Sequence, residues 1–171
     1  MYYFYSHIIL LIKKYILRNA KFCFSSKIEG ICFFSGNFNI GSNCRFINAR
    51  VSGAVIIDDF VSVADNTLLK GSYDKSVKIG YGSIIGPNCL ISTDYHYRYD
   101  GVVNDSLLKK MLPHNHMSNK KEINKSIHIG KHVWIGCNVY IKPGVVINDY
   151  ATIGANSVVT RDVVEKEIYI K

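Results

Sequence analysis

The chain has 171 residues, 48% of them hydrophobic, and a formal net charge of +8 at pH 7. That length suits one domain with its own core, and the apolar share excludes a disordered chain. The positive balance predicts attraction to a polyanion such as an acidic glycan, an anionic lipid or a phosphate-bearing cosubstrate. No basic cluster is interleaved with aromatic residues, so nucleic acid is not the expected partner.

The N-terminal stretch MYYFYSHIILLIKKYILRNAKFCF places Tyr3, Ile8, Leu11, Ile12, Tyr15 and Ile16 on one helical face, beside Lys13, Lys14 and Arg18. Its uninterrupted apolar run, IILLI, is too short to span a bilayer. No small-residue cleavage site follows, so a signal peptide is not expected. Residues 1–24 are expected to form a helix that caps the open end of a core. The alternative is an interfacial helix making peripheral contact with an anionic membrane.

Beyond it the sequence beats in sixes. One stretch has Ile28, Phe34, Ile40 and Phe46 in the leading position, with Cys32, Phe38, Cys44 and Arg50 in the fifth. Arg50 breaks the rule and the register slips by one, to Val51, Ile57, Val63 and Leu69. A third stretch has Ile79, Ile85 and Ile91, and a fourth has Ile129, Ile135, Ile141, Ile147, Ile153 and Val159. The fifth positions of that last series are all small or β-branched. Its second positions include Gly130, Gly136, Asn148 and Gly154, residues that tolerate left-handed backbone. A six-residue beat suits a short strand followed by a corner. Three sides of about six residues close a triangular coil, and coils stack at about 4.8 Å, the usual strand spacing. Each leading side chain then points into the prism above its counterpart from the coil below. Cys32, Cys44 and Cys89 fall at fifth positions and are expected to be small core residues rather than reactive thiols. The five cysteines show no CxxC pair, which argues against a disulfide framework and a structural zinc, and for a reducing compartment.

The beat is interrupted twice. KGSYDKS separates Leu69 from Val77, and a longer break runs over about 97–126, after ISTDYHYRYD and before SIHIGKHVWIG. An interruption of that length in a regular coil is expected to extrude as a loop and to carry function. His96 closes the hexad that begins at Ile91 and so stands where the long loop begins.

The stretch WIGCNVYIKPGVVINDYATIGANSVVTRDV, Trp134–Val163, resembles the signature of the hexapeptide-repeat acyltransferases. The resemblance extends over about residues 28–166 and is nearest to the sugar and polysaccharide O-acetyltransferases. It implies an all-β, left-handed parallel β-helix for residues 25–171 and a homotrimer with active sites between neighbouring prisms. It further implies a cytoplasmic acetyl-CoA-dependent O-acetyltransferase, placed in the cytoplasm or at the inner face of the membrane. The implied acceptor is a sugar hydroxyl of a cell-surface polysaccharide or its precursor, and the positive charge would suit an anionic saccharide.

By the same resemblance His96 is the general base that takes the acceptor hydroxyl proton, which suits imidazole because its neutral form is available at cellular pH. Asp94 would orient that ring, with backbone an equal alternative. Asn66, in the coil below by count, would position the hydroxyl, and Trp134 would wall the pantetheine arm or the acceptor. Cys137, Ala155, Thr160 and Arg161 match coenzyme-contacting positions, with Arg161 meeting phosphate. No metal is implied. The family continues past the segment matching VVEKEIYIK with a Gly-x-Pro-Ala turn and a basic helix, so coenzyme contacts from such a tail are not expected within these residues. YHYRYDG also resembles the xenobiotic acetyltransferases, which makes an antibiotic an alternative acceptor. The other rival is a non-catalytic trimeric scaffold.

Overall fold

The computed structural model describes residues 21–23, 25–72, 74–94 and 125–171. Among them every regular element is a short strand, and every strand pair is parallel. Three sheets form the three faces of a prism of about six turns. The first face stacks Lys21–Phe22, Phe38–Ile40, Val55–Ile57, Val77–Ile79, Ile127–Ile129 and Val146–Ile147. The second runs from Lys27–Glu29 to Ile168–Tyr169 through Trp134–Ile135, and the third from Phe33–Ser35 to Val158–Val159 through Leu90–Ser92 and Tyr140–Ile141. The chain thus crosses a first corner between the first and second faces, then a second corner and a third.

The six-residue beat is the register of this stack. On the second face Ile28, Phe46, Val63, Ile85, Ile135, Ile153 and Tyr169 pair in turn. All but Ile28, in the first coil, are buried. Burying each such side chain contributes about 1.5–3 kcal/mol, which is what holds a strand of two or three residues in place. The corners turn through left-handed backbone supplied largely by asparagine, as at Asn48, Asn66, Asn88, Asn138 and Asn156 on the second corner. The slip at Arg50 has a local cause. The second corner there is one residue shorter, and Ala49, fully buried, fills the fifth position in place of Arg50, which faces outward. Asn48 ties this tight corner, accepting from Ile31 N at 2.8 Å and donating to Asp65 Oδ1 at 2.7 Å.

Fifth positions do more than fill space. Ser83 Oγ donates to the Gly130 carbonyl at 2.9 Å and accepts from Val133 N at 3.1 Å, so one hydroxyl bolts two coils together. Thr67 makes the same pair of bonds to Gly86 O and Cys89 N. Cys44 and Cys89 are buried and donate their thiols to carbonyls of the next coil, Asp58 O and Gly136 O, while Cys32 is half-buried against the core. Burial raises the pKa of the Cys44 and Cys89 thiols, in keeping with core residues.

The capping helix expected over 1–24 lies largely outside the described residues. Within that span Lys21–Phe22 is a strand paired with Asn39–Ile40, so the described prism includes residues before 25. Phe22 packs edge-on to Phe34, with ring centroids 5.7 Å apart, which draws this segment onto the core. The break over 97–126 is outside the described residues up to 124. The described chain leaves at Asp94 and resumes at Lys125, where Ser126 Oγ accepts from Ser76 N at 3.1 Å and Ile127 N rejoins Ser76 O. Both ends of the interruption are therefore anchored at the third corner, beside the smaller break.

Candidate functional site

The third face is where the sequence candidates gather. Asn66, Cys137 and Ala155 lie on the second corner, along one edge of it; Asp94, Thr160 and Arg161 lie on the third corner, along the other. Asn66 to Ala155 spans three coil steps, about 14 Å along the axis. Between the two edges the face presents Leu68, Leu90, Tyr140 and Val158 outward, in consecutive register. Leu90 is 41% and Val158 47% exposed, so the strip is apolar and open.

Each candidate has a definite setting. Asn66 has φ +55° and its side chain is exposed; its backbone N donates to Asn48 O at 3.2 Å. It lies one coil below the strand that leads to Asp94, as counted, but at the second corner, not at the third. It stacks on Asn48 and, through Asp65 O, under Asn88. The extra residues of the smaller break lie at the third corner itself, between Asn66 and the next coil, and counting residues cannot allocate them. Asp94 does not reach out as a free carboxylate: its Oδ2 meets Lys70 Nζ at 2.6 Å. Trp134 stands outward on the second face, 50% exposed, between Ile84 and Thr152. Cys137 and Ala155 adjoin on successive coils, linked by Asn156 N to Cys137 O at 2.8 Å, and their small side chains leave this edge open. Thr160 is exposed beside Arg161.

Arg161 is already engaged. Its two terminal nitrogens reach Glu167 Oε1 at 2.6 Å and Oε2 at 3.2 Å, it donates to Asp162 O, and its guanidinium lies 5.1 Å from the Tyr169 ring centroid. The Arg161 bond holds the Glu167 carboxyl below its ordinary range, and Val164 N reinforces this. His96 lies outside the described residues. The sequence reading missed Lys70 and Glu167, the partners that occupy Asp94 and Arg161. Glu167 follows Arg161 by one hexad, a faint signal; Lys70 has none, because the smaller break hides its register with Asp94.

A prism of stacked hexads with an interruption at one corner is the architecture that the resemblance to the hexapeptide-repeat proteins implies. Residues 126–161 match the family described as bacterial transferase hexapeptide (six repeats). Residues 126–161 carry that family's repeat, and the architecture of the described residues matches the left-handed parallel β-helix expected from the resemblance. The galactoside O-acetyltransferase of Escherichia coli (strain K12) is 36% identical over 90 residues, 53% of this chain and 37% of that protein. The putative lipopolysaccharide biosynthesis O-acetyl transferase WbbJ of the same organism is 27% identical over 140 residues, 82% of this chain and 67% of that protein. The chain thus spans little more than a third of the galactoside O-acetyltransferase it matches. Among solved structures, PerB from Caulobacter crescentus in complex with CoA and GDP-perosamine superposes with a TM-score of 0.61 at 14% identity, covering 88% of this chain and 56% of that one. At that identity the likeness concerns the fold.

Proposed function

We propose that the chain is an acetyl-CoA-dependent O-acetyltransferase acting on a sugar hydroxyl of a surface polysaccharide or its precursor, in the cytoplasm. One observation carries the reading. Candidates drawn from four successive coils fall on the two edges of a single open apolar face, and both described ends of the long interruption attach at one of those edges. The named relatives, a galactoside O-acetyltransferase and a lipopolysaccharide O-acetyl transferase, support the reaction and the acceptor class.

In this reading the third face of one prism meets a neighbouring prism in a homotrimer, which would cover the outward Leu90, Tyr140 and Val158. The part of residues 1–24 that precedes Lys21 would cap the N-terminal end, with membrane contact as the rival role for that segment. Acetyl-CoA would lie along the edge of Cys137 and Ala155, where small side chains permit close approach, with Thr160 and Arg161 across the face. Acetyl-CoA supplies the thioester to be cleaved. His96 would take the acceptor hydroxyl proton as the oxygen attacks the thioester carbonyl. The C–O bond forms, the C–S bond breaks, and the proton passes to the departing thiolate. Asn66 would orient the acceptor hydroxyl, and Trp134 would close the cleft from a neighbouring prism. The Lys70–Asp94 pair would fix the strand end that leads to His96. The net positive charge favours an anionic acceptor as well as CoA.

The engagement of Arg161 by Glu167 favours one rival, a trimeric scaffold that binds no coenzyme. CoA release from acetyl-CoA with a panel of sugars, measured for the parent and His96→Ala, separates the two. The reading expects turnover that falls at least a thousandfold on substitution, from loss of general base and nucleophile activation. Undiminished turnover removes His96 as the base, and absence of acetyl-CoA binding leaves the scaffold.

A further inference from the structure

A second recess lies away from the third face, where the first face turns into the first corner. Ile57, Ile79, Ile129 and Ile147 stack in register, so the residues that follow them, Asp58, Gly80, Gly130 and Asn148, form a row along the corner. The two middle coils carry glycine where the outer two carry polar side chains. A Cβ on Gly80 would run into the Gly130 peptide and one on Gly130 into Asp149, so the coil spacing keeps both steps bare. The result is a groove of about 290 Å³, floored by Gly80 and Gly130 and closed by Asp58 at one end and by Asn148 and Asp149 at the other. Its ends are three strand spacings apart, about 14 Å. Lys78 and His128, neighbours in register, form the wall on the first face, beside Ile56 and Val146. A further recess of about 310 Å³ continues past Asp58 to Asn39 and Tyr81.

An aromatic column runs along the same corner, and its Tyr81 lines the further recess. Phe60 and Tyr81 have ring centroids 5.4 Å apart, Tyr81 and His132 5.3 Å, and His132 stacks on Tyr150 at 5.2 Å. These rings hold one another rigid and leave their edges in solvent. Asp58, Lys78 and His128 are exposed, and their side chains have no bonded partner among the described residues. Asp149 is half engaged, accepting from Lys131 N at 2.8 Å.

This chemistry selects a ligand. Two carboxylates offset one ammonium, so the groove is not built for an anion. Acceptors, donors and an amide alternate along it, interspersed with apolar Ile56 and Val146, which suits a molecule dense in hydroxyls that both donate and accept, with apolar C–H faces between them. In the further recess Tyr81 adds an amphipathic ring. We propose that this groove binds an uncharged stretch of oligosaccharide, holding a length of the acceptor glycan remote from the hydroxyl that reacts. The inference rests on the glycan-modifying reading above.

The test uses the full chain carrying His96→Ala, without acetyl-CoA, so that binding is read apart from transfer. Maltohexaose, cellohexaose and chitohexaose are titrated by calorimetry and by amide chemical shifts. At least one is expected to bind and to shift the amides of Gly80, Gly130 and Tyr81. Asp58→Ala, Lys78→Ala and His128→Ala, all at exposed positions, are each expected to weaken it threefold or more with an unchanged circular dichroism spectrum. Binding by none of the three hexasaccharides, affinity indifferent to all three substitutions, or shifts confined to the third face overturns the proposal. Hexasaccharide binding at the groove without any acetyl transfer would uphold this inference while overturning the enzymatic reading.

Discussion

Ser83→Ala tests the bolting of one coil to the next. The Ser83 side chain is fully buried and is the one hydrogen-bond partner of Val133 N among the described residues, in a residue itself buried, while its hydroxyl also feeds the Gly130 carbonyl. Removing the oxygen leaves a buried amide donor bare, at about 1–3 kcal/mol. Gly130 is half-buried as a residue, and its carbonyl is expected to add less than the bare amide. The space vacated is too small for a water, which needs roughly 10–15 Å³. The expected loss is about 2–3 kcal/mol, a fall of roughly 1–2 M in the urea midpoint at ordinary slopes.

Ser83→Cys should lose less, because Cys89 shows a thiol donating to Gly136 O at 3.1 Å in the equivalent place on another corner. Ser62→Ala, at a half-exposed outward position on the second face, should stay within about 0.5 kcal/mol of the parent. Urea unfolding followed by Trp134 fluorescence gives the three midpoints, and hydrogen exchange reads the Val133 amide directly. If Ser83→Ala unfolds with the parent and its Val133 amide remains protected, the hydroxyl is filler and the bolt does not exist.

Three further outcomes are expected. Ile85→Ala should cost about 3 kcal/mol, whereas its exposed neighbour Ile84→Ala should cost under about 1 kcal/mol, both read from urea midpoints; a reversed order would contradict the register. The Cys23 thiol, lowered to about 7 chiefly by its bond with the Ser25 hydroxyl and then by Ser42, should alkylate with a rate that climbs through neutral pH. Cys44 and Cys89, raised by burial, should react only on unfolding, and mass mapping after iodoacetamide treatment checks all three. Glu167→Gln should release Arg161 and tighten CoA binding about two- to fivefold, the worth of an exposed ion pair, with calorimetry as the readout. The sign follows from the lowered Glu167 pKa. The pair is intact above the carboxylate range and is lost as pH falls through it, so the parent should approach the variant's affinity in acid.

How much of this could be read beforehand depended on which forces repeat. Leading positions such as Ile135 and Ile153 were legible because every coil needs an apolar side chain at the same place, and six residues of sequence carry the signal. The small fifth positions were legible as small, but the bonds from Ser83 and Thr67 were not, since a hydroxyl in a core looks like any other small group until its two backbone partners are known. Lys21–Phe22 was absorbed into a helical pattern because Phe22 fits both an amphipathic face and a two-residue strand. Cross-coil pairs such as Lys70–Asp94 were out of reach, because the break after Leu69 alters the residue count between those neighbours without altering the stack.

That last point explains how the fold separates stability from chemistry. Adjacent residues on one strand face opposite media: Ile91 is buried in the prism, while Leu90 lies open on the third face. The inward set must stay aliphatic in every coil, because each side chain touches those above and below and a gap forfeits packing on both sides. The outward set carries no such demand, so the third face can be an apolar strip with polar edges while the first face holds a polar groove over two bare glycine steps. Insertions are confined to corners for the same reason: a residue added within a strand would reverse every inward side chain after it, whereas one added at a corner reverses none. Both breaks of this chain fall at the third corner, which leaves the registers of all three faces intact.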